Sequence, residues 1–304
     1  MLYLQATDAS DAGGLTHVDA TARRLAALRH RHLLPLVGSC PDLPMLVYDL
    51  GPREEADFTV PLADIMQPPP AGFPATQLGW QARVKVCADV AAAIIFLQER
   101  TPPVFCGVPL DVGRVVVDMG TGDARLGFVG LGAFTSSGPV ALGHEASPPP
   151  DVTSAREMED VRALGVLLLR LLLGNVSGDA DELVGWVRGV MQYERGDGGV
   201  GQALAGLALA GAARGGGGIE WPPEVTLFFA EMALRCASCS LQGGVPNLRF
   251  EVLPHLHQLR NHQRLPIAGA CQPAILHSPH GQGGQAIQGQ PQQAPTPQGR
   301  CWGD

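Results

Sequence analysis

The chain has 304 residues and a formal net charge of −8 from 21 basic and 29 acidic side chains, with 45% hydrophobic residues. That is enough apolar material for a sizeable core, and the acidic balance argues against the nucleic-acid backbone as the main partner. Charged residues make up only 16% while Gly (39) and Pro (26) are abundant, which indicates a folded domain interrupted or followed by poorly ordered segments.

In chain order, residues 20–28 alternate apolar and arginine positions at helical spacing, ending at His30 and His32. Two short apolar runs, 33–38 and 45–50, flank the turn-rich Cys40-Pro41-Asp42 and read as a hairpin. Residues 80–100 form the clearest helix, with Trp80, Val84, Ala88, Ala91 and Ile95 on one face and Pro102-Pro103 as its stop. Val115-Val116-Val117 is a buried strand, and Gly120 and Gly122 turn the chain toward a partner strand at Arg125-Leu126. The prolines at 148–150 break the chain before an apolar helix over 160–173, and a further helix covers 225–237. Residues 215–218 are a glycine linker, and from about Ala268 onward a Gln/Pro/Gly tail reads as disordered. The seven cysteines (Cys40, Cys87, Cys106, Cys236, Cys239, Cys271, Cys301) are scattered and odd in number, unlike a secreted disulfide framework. No basic-then-apolar leader opens the chain, and its most apolar run, 164–173, is about half a bilayer span and contains Arg170. A soluble, cytoplasmic, thiol-reduced protein without a membrane span is the expectation.

The order of these pieces, a helix and hairpin followed by a mostly helical body with one buried strand pair, describes a two-lobed α+β domain. The stretch from Leu28 to Pro41, LRHRHLLPLVGSCP, resembles the "RHPHLVxLLGACPE" turn of plant protein kinases, most like the plant U-box kinases. Leu46-Val47-Tyr48 stands at the hinge approach, and Leu78-Gly79-Trp80-Gln81-Ala82-Arg83 with Phe96-Leu97 resembles "LSWxxRxxIAxxIAxxLxFLH". Residues 160–166, DVRALGV, resemble "DVYSxGV". Trp221-Pro222, Ala233-Leu234-Arg235-Cys236-Ala237 and Val252-Leu253-Pro254 resemble the end of the large lobe. The resemblance covers roughly residues 20–260. It implies a protein-kinase-like fold with a truncated small lobe in 1–50, a large lobe with Gly/Pro-rich insertions in 51–262, and a tail in 263–304.

The same resemblance implies the chemistry that this sequence lacks. Kinase phosphoryl transfer needs a lysine at the phosphates, Asp and Asn on magnesium, and an Asp to orient the hydroxyl. Aligned without gaps to residues 105–118, the family's "IVHRDLKPANILLD" puts Pro109 at the base and Arg114 at the metal-binding Asn. Residues 125–132 fit the family's "KIGDVGLAR" segment and put Phe128 at the metal Asp. Lys85 is the only lysine in the sequence and falls in the helix that begins at Trp80, away from the phosphate lysine's strand. The regulatory-helix glutamate falls at Thr21, and Gly13-Gly14 is too short for the glycine-rich phosphate loop. The family's glutamate–arginine pair after the activation segment is absent from both 146–150 and 245–248, whereas Asp160 keeps the large-lobe anchor, a structural role.

Other candidates read as structure. Cys236 and Cys239 are spaced as half a zinc site but lack a second pair, so they read as core cysteines. His255 and His257 read as surface or helix-end histidines, His30 and His32 as a structural turn, and Asp111 as a solvated loop residue. Asp118 ends its strand and sets the turn. Ser136-Ser137 stands where an activation segment would lie, a position open to phosphorylation, although exposed serine pairs are common. No U-box start follows Leu259. The expectation is a kinase-like domain without catalytic, cofactor-binding or metal-binding residues, in which the family's ATP and magnesium find no support. It acts as a binding or scaffold module for another kinase or a ubiquitin-pathway component in signalling. The competing readings are an ATP-dependent serine/threonine kinase and a truncated or decayed gene product.

Overall fold

The computed structural model describes residues 2–6, 23, 25–40, 45–50, 59–67, 78–101, 103–106, 110–127, 150–174, 178–193, 206 and 221–261. The chain divides into two units, 1–265 and 266–304, and every described residue lies in the first. The expectations for Thr21, Pro109, Phe128, Ser136, Ser137, the 215–218 linker and the tail fall outside the described residues.

The expected hairpin is present. Strand β2 (Leu36–Cys40) pairs antiparallel with β3 (Met45–Asp49), and β1 (Leu2–Ala6), which the sequence reading did not anticipate, pairs with the other side of β3. The run 33–38 is not one strand, however. Pro35, lacking an N–H, divides it: Leu36 onward joins this sheet, while 32–34 run along a second sheet. There the Leu34 N–H donates to the Leu126 carbonyl at 2.8 Å, and the Leu126 N–H donates to the His32 carbonyl at 2.9 Å.

That second sheet has the order β4 (Thr59–Pro61), β5 (Val115–Asp118), β6 (Ala124–Leu126), all antiparallel. The strand pair at 115–126 is as expected, and β4 with the five-residue helix α1 (Leu62–Met66) adds a flank that the sequence reading missed. Val115 and Val117 are fully buried, as their unbroken β-branched run requires.

Helix α2 (Trp80–Gln98) follows the expected span but not the expected single face. Val86, Cys87, Val90, Ala93, Ile94 and Leu97 are as buried as Val84, Ala88 and Ala91, whereas Ile95 is only half-buried. A helix that is apolar all round is enclosed by the core. The next helix, α3 (Pro150–Leu173), begins ten residues earlier than the apolar run suggested. Pro150 opens the helix instead of breaking it, because a proline in the first turn forfeits no intrahelical hydrogen bond.

Helix α4 (Ala180–Tyr193) follows, then α5 (Pro223–Ala237), a π-helical turn over Leu248–Val252, and α6 (Leu253–Arg260). Asn247 caps that turn, its side-chain oxygen accepting from the Arg249 and Phe250 N–H groups. The main core joins α2, α3 and α5 through Leu164, Leu167, Leu168, Trp221 and Phe229. Trp221 bridges Trp80 and Phe229, with ring centroids 6.1 and 5.3 Å away. At the α3–α5 crossing, Gly165 lets the two backbones meet: a Cβ there would stand 2.2 Å from the Ala237 nitrogen.

Candidate functional site

Two neighbouring assemblies carry the residues singled out above. The first surrounds Lys85. Its position on α2 directs the side chain to the tight turn between β5 and β6, which Asp118 shapes by accepting from the Gly120 and Thr121 N–H groups at 3.0 Å each. Gly122 completes the turn at φ +67°, a conformation that favours glycine.

The Lys85 ammonium donates to Asp89 Oδ2 at 2.8 Å, to the Gly122 carbonyl at 2.8 Å and to Asp123 Oδ1 at 2.5 Å. A lysine has three N–H donors, and all three are engaged. Asp89, one helical turn along from Lys85, is buried and also accepts the Ala124 N–H at 2.9 Å. The hydrogen bond from Lys85 holds the Asp123 carboxyl below its usual range, and Arg31 adds to the effect.

His32 closes the assembly from the other side. Its Nδ1–H donates to the Ala124 carbonyl at 3.0 Å, and its Nε2 faces Asp89 Oδ1 at 3.6 Å. His30 stacks on Phe96 with centroids 4.6 Å apart. The RHRH segment is therefore a clasp between α2 and the β5–β6 hairpin, the structural turn that the sequence suggested.

The second assembly is the loop that precedes β5. Asp160 on α3 is buried, and its Oδ1 accepts the Cys106 N–H at 3.1 Å. Burial pushes its carboxyl up to about 7, against the hydrogen bond from Cys106 that favours the charged form. Asp160 thus anchors the loop, the structural role expected of it. Asp111 is exposed and turned back on its own chain, Oδ1 accepting the Gly113 N–H at 2.8 Å.

Arg114 is partly buried between this loop and β3. Burial lowers its proton affinity, and Asp111, Cys106 and Tyr48 counteract that. Tyr48 is itself buried, in a cluster with Leu25, Leu34, Leu36, Leu50 and Val116, so β5 and the β2–β3 sheet meet through packed side chains. Burial raises the Tyr48 hydroxyl above its ordinary range.

The cysteine pair lies in apolar surroundings. Cys236 and Cys239 are buried, and burial pushes the Cys236 thiol up to about 12. Among the described residues no group of three or more His, Cys, Asp or Glu could hold a metal ion. His255 lies edge-on to Phe228 with its Nδ1 at the Glu251 carbonyl, and His257 is exposed on α6. Sequence reasoning missed one buried cation. Arg83 on α2 donates from Nε to the Leu78 carbonyl at 3.1 Å and from Nη1 to the Leu171 carbonyl at 2.6 Å, stitching α2 to the last turn of α3. Burial lowers its pKa to about 10. Its signal is present in the WQAR motif, but spacing alone does not separate a buried arginine from any other residue of the helix.

The fold and these motifs define a protein-kinase-like domain, α+β with mostly helical content and few strands. Its homologues are plant U-box domain-containing proteins and receptor-like kinases, at 24–27% identity. U-box domain-containing protein 51 of Arabidopsis thaliana is 27% identical over 253 residues, 78% of this chain and 29% of that protein. U-box domain-containing protein 52 of the same species is 24% identical over 270 residues, 84% of this chain and 28% of that protein. The chain thus spans less than a third of the length of either relative. No family model matches.

Among solved structures, the pseudokinase domain of BIR2, an immune regulator of the RLK/Pelle family, superposes with a TM-score of 0.54 at 21% identity, covering 86% of this chain and 73% of that one. A second pseudokinase, in its apo form, gives a TM-score of 0.53 at 17% identity, covering 86% and 83%. No helix among the described residues is long and apolar enough to cross a membrane.

Proposed function

We propose that this chain is a catalytically silent protein-kinase-like domain, a pseudokinase, that acts as a protein-binding module in signalling. The observation that carries the reading is Lys85: the only lysine of the chain has all three donors engaged by Asp89, Gly122 and Asp123, on a helix and a hairpin turn. None is left to reach a phosphate.

A magnesium–nucleotide cofactor of the family's kind does not fit the residues present. Magnesium takes oxygen ligands, whereas Arg114 offers a guanidinium at the position of the metal-binding Asn. Asp111, the nearest carboxylate in that loop, is committed to its own turn. Two structural neighbours carry the name pseudokinase, and the partner proposed here is accordingly a protein, another kinase or a ubiquitin-pathway component.

Phosphoryl transfer tests this directly. The purified chain, incubated with ATP and magnesium or manganese and a generic Ser/Thr protein substrate, is expected to transfer no phosphate above the protein-free control. Metal-dependent incorporation into the substrate or into the chain itself would overturn the reading in favour of a serine/threonine kinase.

A further inference from the structure

Lys85 carries a second consequence, independent of whether the domain is silent. We infer that Lys85 is a fold-gated acceptor for acyl transfer: its amine is withheld from activated acyl donors, thioesters included, while the domain is folded, and is released when the β5–β6 turn opens. A chain with one lysine has one ε-amine to offer to any such reaction.

Acyl transfer to lysine requires the ammonium to lose a proton so that the nitrogen lone pair can attack the acyl carbonyl. The Nζ–C bond forms, the C–S bond of a thioester breaks, the thiolate leaves with the electron pair, and the proton released by nitrogen passes to solvent or to the thiolate. In the folded chain none of this has room to begin. Each N–H of the ammonium points at an acceptor, two of them carboxylate oxygens at 2.8 and 2.5 Å, and the side chain is only 22% exposed. An acyl carbonyl could approach the nitrogen only from a direction that one of these acceptors already occupies.

The three acceptors do not stand on equal ground. Asp89 shares buried α2 with Lys85, whereas Gly122 and Asp123 belong to the β5–β6 turn, whose Gly120 and Thr121 are exposed. Turns of this kind open at lower free energy than core helices. Displacing the turn removes two acceptors at once and uncovers the nitrogen while α2 stays in place. A ubiquitin-type thioester and a small acyl donor share this requirement and differ only in size, so the small donor reports the chemistry and the large one the steric access.

The test is amine acylation of the full chain with an N-hydroxysuccinimide acetate, read by mass spectrometry at Lys85, with a single-lysine reference peptide in the same tube. Each charge-assisted hydrogen bond that must be given up weighs about a factor of ten. Folded protein is therefore expected to label at Lys85 about 100-fold more slowly than the peptide, and protein in concentrated urea at the peptide's rate. Asp123→Asn removes one charged acceptor and is expected to raise labelling about tenfold while its unfolding transition remains cooperative. Ubiquitin carried as a thioester on a lysine-reactive conjugating enzyme is expected to modify the Asp123→Asn protein faster than the wild type, and the Lys85→Arg protein not at all at a side chain. Folded wild-type protein labelling at Lys85 within about threefold of the peptide would overturn the gate. Equal small-donor labelling of wild type and Asp123→Asn would overturn the assignment of the gate to this turn.

Discussion

Replacing Gly165 by alanine sets two effects of opposite sign against each other. In an exposed helix interior that exchange stabilises by about 1 kcal/mol, because glycine is the poorer helix former. At Gly165 the new Cβ would lie 2.2 Å from the Ala237 nitrogen, 2.7 Å from the Ala237 Cα and 2.8 Å from the Ala233 carbonyl oxygen, all backbone atoms of α5. No rotamer can relieve such contacts. Restoring ordinary van der Waals distance means moving α3 and α5 apart by about 1 Å along much of a crossing that buries Leu164, Leu168, Phe229, Ala233 and Cys236. Overpacking of side chains alone costs ~1–3 kcal/mol, and a backbone obstruction puts this variant at the upper end or beyond, about 3 kcal/mol less stable. Gly185 and Gly189 on α4 supply the control, since a Cβ at either meets nothing within 4 Å. Urea denaturation followed by circular dichroism is expected to show Gly165→Ala strongly destabilised and Gly185→Ala or Gly189→Ala stabilised by about 0.5–1 kcal/mol each. A Gly165→Ala protein as stable as the wild type would refute the close α3–α5 approach.

The polar contacts of the core set three further outcomes. Lys85→Met removes the cation from buried Asp89 and is expected to cost about 2–3 kcal/mol, somewhat less than the ~3–5 kcal/mol of a fully buried pair because Lys85 retains some exposure; thermal or urea unfolding measures it, and an unchanged midpoint contradicts the clasp. Burial pushes the Asp160 carboxyl up to about 7 from its ordinary 3.8, so its protonated form contributes stability that is fully present below about pH 4 and is lost as pH rises through 7, on the order of 4 kcal/mol. Asp160→Asn, which keeps an acceptor for the Cys106 N–H, is expected to flatten the stability profile between about pH 4 and 7, and an unchanged slope contradicts it. Arg83→Met leaves the Leu78 and Leu171 carbonyls without their donor but removes a buried cation as well, so the loss is expected to stay near 1–2 kcal/mol in the same assay.

Most of the architecture is legible in the sequence where the signal is periodic or motif-borne. The α2 span, the 115–126 strand pair, the hairpin and the α5 helix stand out because apolar spacing and turn residues agree. What depends on tertiary surroundings does not. Pro150 reads as a stop or as a first-turn residue depending only on the residues after it, and in the mostly polar stretch 151–159 the sparse apolar positions Val152, Ala155 and Met158 are a far weaker helix signal than the run from Leu164. The run 33–38 looks like one strand because Pro35 marks a division between two sheets that only the folded chain reveals. At the site, the absence of a lysine from the early strands is legible from composition, but what Lys85 does is not: two of its acceptors lie 37 and 38 residues further along, in a turn that reads as mere loop. Thr59–Pro61 is too short and Pro-terminated to announce a strand, and it is held by its register with Val116–Asp118.

The central claim, a kinase-like fold that does not use ATP and magnesium, is tested most directly by thermal unfolding of the purified chain with and without ATP, each with and without Mg²⁺. A ligand at 100 times its Kd stabilises a fold by ~2.7 kcal/mol, which moves the midpoint of a domain of this size by roughly 5 °C or more. The account predicts a cooperative transition whose midpoint does not respond to magnesium–ATP, and a clear magnesium-dependent upward shift would contradict it.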